Sequence, residues 1–281
     1  MLPAMRRYEA ILLDLDGTLV DDAGRVRPRV KASLHAASAS GVVVMVCTGR
    51  SSEGTQPVLE ALEIDTPAVV YNGAGLWCPR EERHLELRTL PADLVERLLV
   101  HARERDYLAV CSQPGAKFAS PPRNAVLERS LHNLECMSVR DDWQLPCEGV
   151  VRAALSCEPP PTSAELEAEV RAVAAGPCYT THFPLDHLIE HRGSPVQVVD
   201  VQPLCEGKAE GVRVLGERYG IAPERVVAVG DATNDLPMFE AAGLSVAMGQ
   251  GMAEARARAQ RVIGTNESDT LAELVTELFE L

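Results

Sequence analysis

Ala10-Ile11-Leu12-Leu13-Asp14-Leu15-Asp16-Gly17-Thr18 is the stretch on which the fold turns. Four consecutive apolar residues are strand-sized and suit a strand buried on both faces. The run stops at two carboxylates spaced i, i+2, with a glycine next. Open α/β sheets bind ligands outside the carboxyl ends of their strands, so both acids stand at an active-site address. If the chain stays extended through both, Asp14 and Asp16 point the same way. One acid can then be ionised to attack or to hold a metal while the other handles a proton. An ordinary strand-to-turn junction uses Asp and Gly too, so the rest of the chain has to decide.

Working outward, apolar strands alternate with amphipathic segments in both outer thirds. Pro28 to Ser40 reads as a helix with proline in its first turn and Gly41 just past its end. Val42 to Cys47 is a second strand, and a helical stretch then leads to a third, Pro67 to Tyr71, ending at Asn72-Gly73. The rhythm resumes with helix Glu206 to Tyr219, strand Val226 to Val229, helix Thr233 to Ala242, strand Leu244 to Ala247 and helix Asp269 to Leu278. The fold class is therefore α/β: a Rossmann-like parallel-sheet core with helices on both faces. The middle differs. Helices over Pro91 to Arg105 and Thr162 to Ala175, the second opened by a Thr162/Glu165 capping box, lie among proline-broken extended segments. They form an inserted α+β cap domain, residues 79–194, interrupting a core of residues 1–78 and 195–281.

Length allows one large or two modest domains. The apolar runs are strand-sized rather than membrane-sized, and Met1 to Tyr8 has no apolar stretch of the kind a signal peptide needs. A cytoplasmic protein is expected, as a monomer or homodimer with no membrane partner. A net charge of −14 argues against nucleic acid or an anionic membrane. The eight cysteines contain no C-x-x-C pair and read as buried free thiols.

Further chemistry sits where the parallel strands end. Thr48-Gly49-Arg50 closes the second strand with a hydroxyl and backbone amides able to bind phosphate oxygens; an N-cap and tight turn would use the same residues. Gly230-Asp231-Ala232-Thr233-Asn234-Asp235 follows the strand Val226 to Val229 and adds two acids and an amide. Carboxylates gathered there repel one another unless a hard cation neutralises them, and Mg2+ suits oxygen ligands. Lys208 opens the helix after the insertion. Any anionic substrate of so acidic a chain needs this local positive charge.

These four pieces, in this order, resemble the haloacid dehalogenase superfamily of phosphotransfer enzymes. The insertion between the second and third resembles its Cof-type subfamily, as do Asn72-Gly73-Ala74, Asp235-Leu236-Pro237-Met238 and Val246-Ala247-Met248-Gly249. The resemblance implies that Asp14 is the nucleophile forming an aspartyl-phosphate and also a ligand of Mg2+. It implies that Asp16 is the acid and base, its backbone carbonyl on the metal, and that Asp231 completes the metal ligands with Asp235 supporting them. Thr48, the amide of Gly49, Lys208 and Asn234 would hold the phosphoryl oxygens. Phosphoryl transfer needs mainly in-line positioning and charge neutralisation, which agrees with this division.

The sequence departs from the subfamily pattern at Gly207 and Ala209 around the lysine, at Gln250, and at Asn266-Glu267-Ser268-Asp269, which lacks the familiar glycine. The cap should choose the substrate by excluding water and reading polar groups. His182, His187 and His191 could contribute, although each also suits a surface or structural role. The i, i+4 spacing of His187 and His191 lies in a strand-like pattern next to Gly193 and Pro195, which speaks against a helical metal pair. The expected function is Mg2+-dependent hydrolysis of a small phosphorylated metabolite. A phosphotransferase or mutase, and a non-catalytic phosphoacceptor module, remain alternatives at this point.

Overall fold

The computed structural model describes residues 7–132 and 136–281. The chain divides into two compact units, one of Met1–Glu86 with Glu206–Leu281, the other of Leu87–Cys205. In chain order the first unit begins with β1 (Ala10–Leu13), α1 (Pro28–Ala39), β2 (Val43–Val46), α2 (Ser52–Leu62), β3 (Ala68–Val70), β4 (Gly75–Cys78) and β5 (Arg83–Leu87). The second unit holds α3 (Ala92–Glu104), β6 (Leu108–Gln113), β7 (Ala116–Ala119), α4 (Ala125–Arg129), β8 (Met137–Val139), β9 (Arg152–Cys157), α5 (Ser163–Ala174), β10 (Cys178–Pro184) and β11 (Gln197–Pro203). The first unit resumes with α6 (Glu210–Tyr219), β12 (Val226–Gly230), α7 (Leu236–Ala241), β13 (Leu244–Ala247), α8 (Ala253–Arg258), β14 (Arg261–Val262) and α9 (Thr270–Phe279).

The central sheet of the first unit runs β14-β13-β12-β1-β2, every pair parallel. Ala10 and Leu13 pair with Val226 and Val229 on one side and with Val43 and Val46 on the other. Both faces of β1 are buried, as its unbroken apolar run requires. Ala10, Leu12, Met45 and Ala228 pack against Val214 and Leu215 of α6 and Met238 and Phe239 of α7. Ile11, Leu13, Val227 and Val229 point the other way by strand alternation and are also fully buried. Helix α1 packs on β2 and α9 on α1. Each fully buried Val or Leu contributes about 1.5–3 kcal/mol relative to leaving it in water, so this sheet is a rigid platform for whatever stands at its ends.

Several expectations are corrected here. The third strand is short and belongs to a separate antiparallel sheet, β3-β4-β5, touching β2 through one parallel bridge, Cys47 to Val69. The helix expected from Glu206 starts as a 3-10 turn over Gly207–Ala209 before α6, and that expected from Thr233 starts as a 3-10 turn over Thr233–Asp235 before α7. The capping box of α5 is present, and the helix closes on Ala175 in the left-handed region. His187 and His191 lie in two 3-10 turns rather than in a strand. The thiols are free, but only Cys47, Cys78, Cys111 and Cys157 are buried, and Cys136 is exposed.

In the second unit a six-stranded sheet, β10-β11-β9-β6-β7-β8, carries α3 and α5 on one face, with Leu94, Leu98, Leu166 and Val170 packed on Leu155, Val199 and Val201. The division between units falls after Glu86 and after Cys205. It lies inside the 79–194 boundary read from sequence at one end and beyond it at the other. The reason is that β4 pairs with β3 of the core while β11 pairs with β9 and β10. Among the described residues no helix is long and apolar enough to cross a membrane.

Candidate active site

Strand β1 ends at Leu13, and the Asp14 amide still donates to the Val229 carbonyl at 3.0 Å. The chain then turns, because the Leu15 carbonyl accepts the amides of Thr18, Leu19 and Val20. The extended chain therefore gives way to a turn from Leu15 on. Asp14 stays buried, while the Asp16 side chain is 49% exposed and forms a two-pronged pair with Arg50, at 2.8 Å from Nε and 2.5 Å from Nη2. Gly17 sits in this turn at φ +73°, and a Cβ there would lie 2.4 Å from Asp231 Oδ2. Only glycine lets the turn lie against that carboxylate.

Asp231 follows β12 and is buried. Asp235 is held from three sides: its Oδ2 accepts the amides of Asp231 (2.8 Å) and Ala232 (2.9 Å), and its Oδ1 accepts Lys208 Nζ at 2.5 Å. The same ammonium donates to Asp14 Oδ1 at 2.6 Å. Carboxylate oxygens of Asp14, Asp231 and Asp235 all lie within 4.8 Å of one another. Burial works against the charge on Lys208, yet Asp14 and Asp235 outweigh it and hold the ammonium well above its ordinary range. Burial pushes the Asp14 carboxyl up to about 7, with Lys208 opposing and Asp235 and Asp16 reinforcing. Burial, followed by the fields of Asp14 and Asp235, likewise holds Asp231 well above the usual carboxylate range.

The donor set tests whether a metal fits. Three carboxylates against one ammonium leave two negative charges when all are ionised. Every ligand atom is a hard oxygen, which suits Mg2+ or Ca2+ and not a thiophilic ion. Asn234 Oδ1, in the loop between Asp231 and Asp235, is buried without a hydrogen-bond partner among the described residues. It is an acceptor that a hydrated cation would satisfy. The residues fit a hard divalent cation.

Beside the acids, Thr48 is buried; its amide donates to Val69 O (2.9 Å), and its Oγ1 accepts the Arg50 amide at 3.1 Å. Its hydroxyl hydrogen is therefore directed elsewhere. Gly49 runs against the Asn72 carboxamide, which would be 3.0 Å from an added Cβ. Asn234 Nδ2 donates to Asn72 Oδ1 at 3.1 Å. The residues expected together thus form one acidic cluster around Lys208, a second group of Thr48, Gly49 and Asn234 joined through Asn72, and Asp16 paired with Arg50, its charge still felt by Asp14 and Asp231.

Asn72 and Arg50 are the residues that sequence reasoning left out of the candidate set. Asn72 had a signal, an Asn-Gly pair at a strand end. Tyr71, Asn72 and Gly73 are all left-handed, at φ 52°, 50° and 100°. Tyr71 N to Arg50 O (2.9 Å), Asn72 N to Thr48 O (3.0 Å) and Tyr71 OH to Glu53 (3.3 Å) hold them there. Two non-glycine residues in that region cost of order 1–3 kcal/mol each, and such strain concentrates at functional sites.

The chain is similar to known proteins over nearly its whole length. The family profile described as haloacid dehalogenase-like hydrolase matches residues 11–275. The chain is 28% identical over 276 residues to the 5-amino-6-(5-phospho-D-ribitylamino)uracil phosphatase YitU of Bacillus subtilis, covering 96% of this chain and 97% of that one. It is 28% identical over 282 residues to the pyridoxal phosphate phosphatase YbhA of Escherichia coli, covering 94% and 96%. A solved phosphatase of the same superfamily from Bacteroides thetaiotaomicron superposes with a TM-score of 0.80 at 20% identity over the full length of both chains, a likeness of fold.

Proposed function

Since this chain belongs to the haloacid dehalogenase-like hydrolases, we propose that its first unit hydrolyses the phosphate monoester of a small metabolite through an aspartyl-phosphate on Asp14. The carrying observation is the convergence of Lys208 on Asp14 and Asp235 beside Asp231 at the carboxyl ends of β1 and β12. The relatives named above act on small phosphorylated metabolites, a ribitylaminouracil phosphate and pyridoxal phosphate. The chain is a phosphoric monoester hydrolase.

Asp14 and Asp231 would hold Mg2+ through their carboxylates and Asp16 through its backbone carbonyl. Asp235, whose oxygens already accept two amides and the ammonium, orients Asp231 and Lys208. Bound Mg2+ supplies neutralisation of the carboxylates and of the phosphoryl oxygens. The Asp14 carboxylate attacks phosphorus in line with the departing oxygen, and Asp16 gives that oxygen a proton. Asp16 then takes a proton from the water that hydrolyses the acyl phosphate. The different settings of the two acids, one buried beside a lysine and one half exposed on an arginine, suit these two roles.

Lys208 has three donors and uses two on Asp14 and Asp235, so the third can meet a phosphoryl oxygen. The Thr48 hydroxyl, the Gly49 amide and the second Nδ2 hydrogen of Asn234 complete the set of donors. The second unit acts as the cap that selects the substrate. The test is phosphate release from a panel of phosphorylated sugars, nucleotides and cofactors after chelation. Turnover should vanish in EDTA and return with Mg2+, and full turnover in EDTA would end the metal assignment.

A further inference from the structure

Gln250 and Asn266, two residues that the site described above leaves without a role, meet in the first unit beside the turn that carries Asp16. Gln250 lies in the loop after β13 and Asn266 in the loop between β14 and α9. Gln250 Oε1 accepts the Asn266 amide at 3.3 Å, and its Nε2 donates to the Gly17 carbonyl at 2.5 Å. Asn266 is buried, and its Nδ2 donates to the Val20 carbonyl at 3.0 Å and to Asp22 Oδ1 at 3.3 Å. The Asp22 amide answers with a bond of 2.6 Å to Glu267 Oε1. The loop of Gln250 is itself anchored, since the Met252 amide donates to the Asp231 carbonyl at 2.7 Å.

These contacts act on the backbone that aims the Asp16 side chain. Inside the turn the Leu15 carbonyl collects the amides of Thr18, Leu19 and Val20. The carbonyls of Gly17 and Val20 are reached instead by side chains 233 and 246 positions away. Gly17 follows Asp16 directly, and Val20 is bridged to it through the backbone. The Asp16 carboxylate is half exposed, so packing does little to fix its direction. A general acid works only within hydrogen-bond reach of the oxygen it protonates, and a displacement of about 1 Å can cost about 10² in rate.

We propose that Gln250 and Asn266 are positioning residues for Asp16: together they hold its turn so that the acid meets the departing oxygen. The inference rests on the phosphatase reading above, in which Asp16 gives that proton. It also accounts for the residue types. Gln250 donates to one backbone group while accepting from another, which a carboxamide can do and neither an ionised carboxylate nor an ammonium can. Asn266 spends two hydrogens, one on a carbonyl and one on a carboxylate, and its amino group has two to give.

The experiment measures kcat/KM on 4-nitrophenyl phosphate and on the sugar phosphate of the panel above that turns over fastest. The proteins are the wild type, Gln250→Leu, Asn266→Ala, Asp16→Asn, and Gln250→Leu combined with Asp16→Asn. This constant reports phosphoryl transfer to Asp14, and of the two esters the sugar phosphate is the one whose leaving oxygen needs the proton. Gln250→Leu and Asn266→Ala should each lower the sugar-to-nitrophenyl ratio at least about threefold, part of the about 10²–10⁴ that proton transfer supplies. In the Asp16→Asn background Gln250→Leu should change the ratio by less than about twofold, because a residue that acts through a group has no effect once that group is gone. Gln250 is exposed, so its variant carries the comparison if Asn266→Ala fails to fold. An unchanged ratio in folded Gln250→Leu, or the same fall with and without Asp16, would overturn the proposal. A wild type that hydrolyses neither ester, or an Asp16→Asn that loses equally on both, would overturn the phosphatase reading beneath it, and the proposal with it.

Discussion

Lys208 is fully buried between two carboxylates, and its removal would leave Asp14 and Asp235 facing each other without the ammonium that balances them. Breaking a buried pair in this way costs about 3–5 kcal/mol, and losing one preorganised donor at a reacting phosphoryl group costs about 10²–10³ in rate. Lys208→Met should therefore lower both Tm and kcat, measured by calorimetry and phosphate release, whereas a solvated lysine would change neither. Sequence made Asp14 and Asp231 legible, because each follows an apolar run and so stands at a strand end, whereas Asp235 lies further on, in the 3-10 turn before α7. The shared face of Asp14 and Asp16 was conditional on extended chain, since i, i+2 spacing implies one only there, and a turn opens at Leu15. Sequence reasoning also gave no account of Arg50, whose partner lies 34 positions away.

At the scale of elements, the loops after β2 and β3 and the turn before α6 meet through glycines. Gly73 has φ +100°, and a Cβ on it would come 2.3 Å from the carbonyl of Gly207, next to Lys208. Gly73→Ala should shift both the strained Asn72 loop and the Lys208 turn. We expect a loss of about 1–3 kcal/mol in stability, together with a raised KM for phosphate esters. Urea unfolding and steady-state kinetics would check this, and wild-type values in both would show that the contact is unimportant. The parallel strands and most helix bodies were readable from apolar runs and caps, since burial on both faces and the Thr162/Glu165 box are local properties. The 3-10 starts before α6 and α7 were not. The first holds Lys208, whose partners Asp14 and Asp235 are distant in sequence, and the second holds Asp235, which that ammonium and the nearby amides of Asp231 and Ala232 fix together.

For the molecule as a whole, the buried acids make stability depend on pH and on cations. Asp14 is raised from its ordinary 3.8 to about 7, and Asp231 moves in the same direction. An acid raised on folding binds more protons folded than unfolded, so its contribution is fully present below pH 4 and is lost as pH rises through about 7. In EDTA, Tm should fall from pH 5 to pH 8 by several degrees, at roughly 2–4 °C for each kcal/mol. Mg2+ should reverse the fall, most strongly at the higher pH, because its ligands must be ionised. Calorimetry across that range checks both, and a Tm that rises with pH in EDTA would contradict the cluster's assigned charges. The alternation of strands and helices identified the core from sequence. The central claim is that Asp14 carries the phosphoryl group and Asp16 moves the proton. It is tested most directly by acid-quenched labelling with a radiolabelled phosphate ester of a good leaving group. Asp16→Asn, deprived of proton transfer worth about 10²–10⁴ in rate, should accumulate an acid-stable, hydroxylamine-labile label. Asp14→Asn should show none; a label on Asp14→Asn, or steady turnover in both variants, would contradict the account.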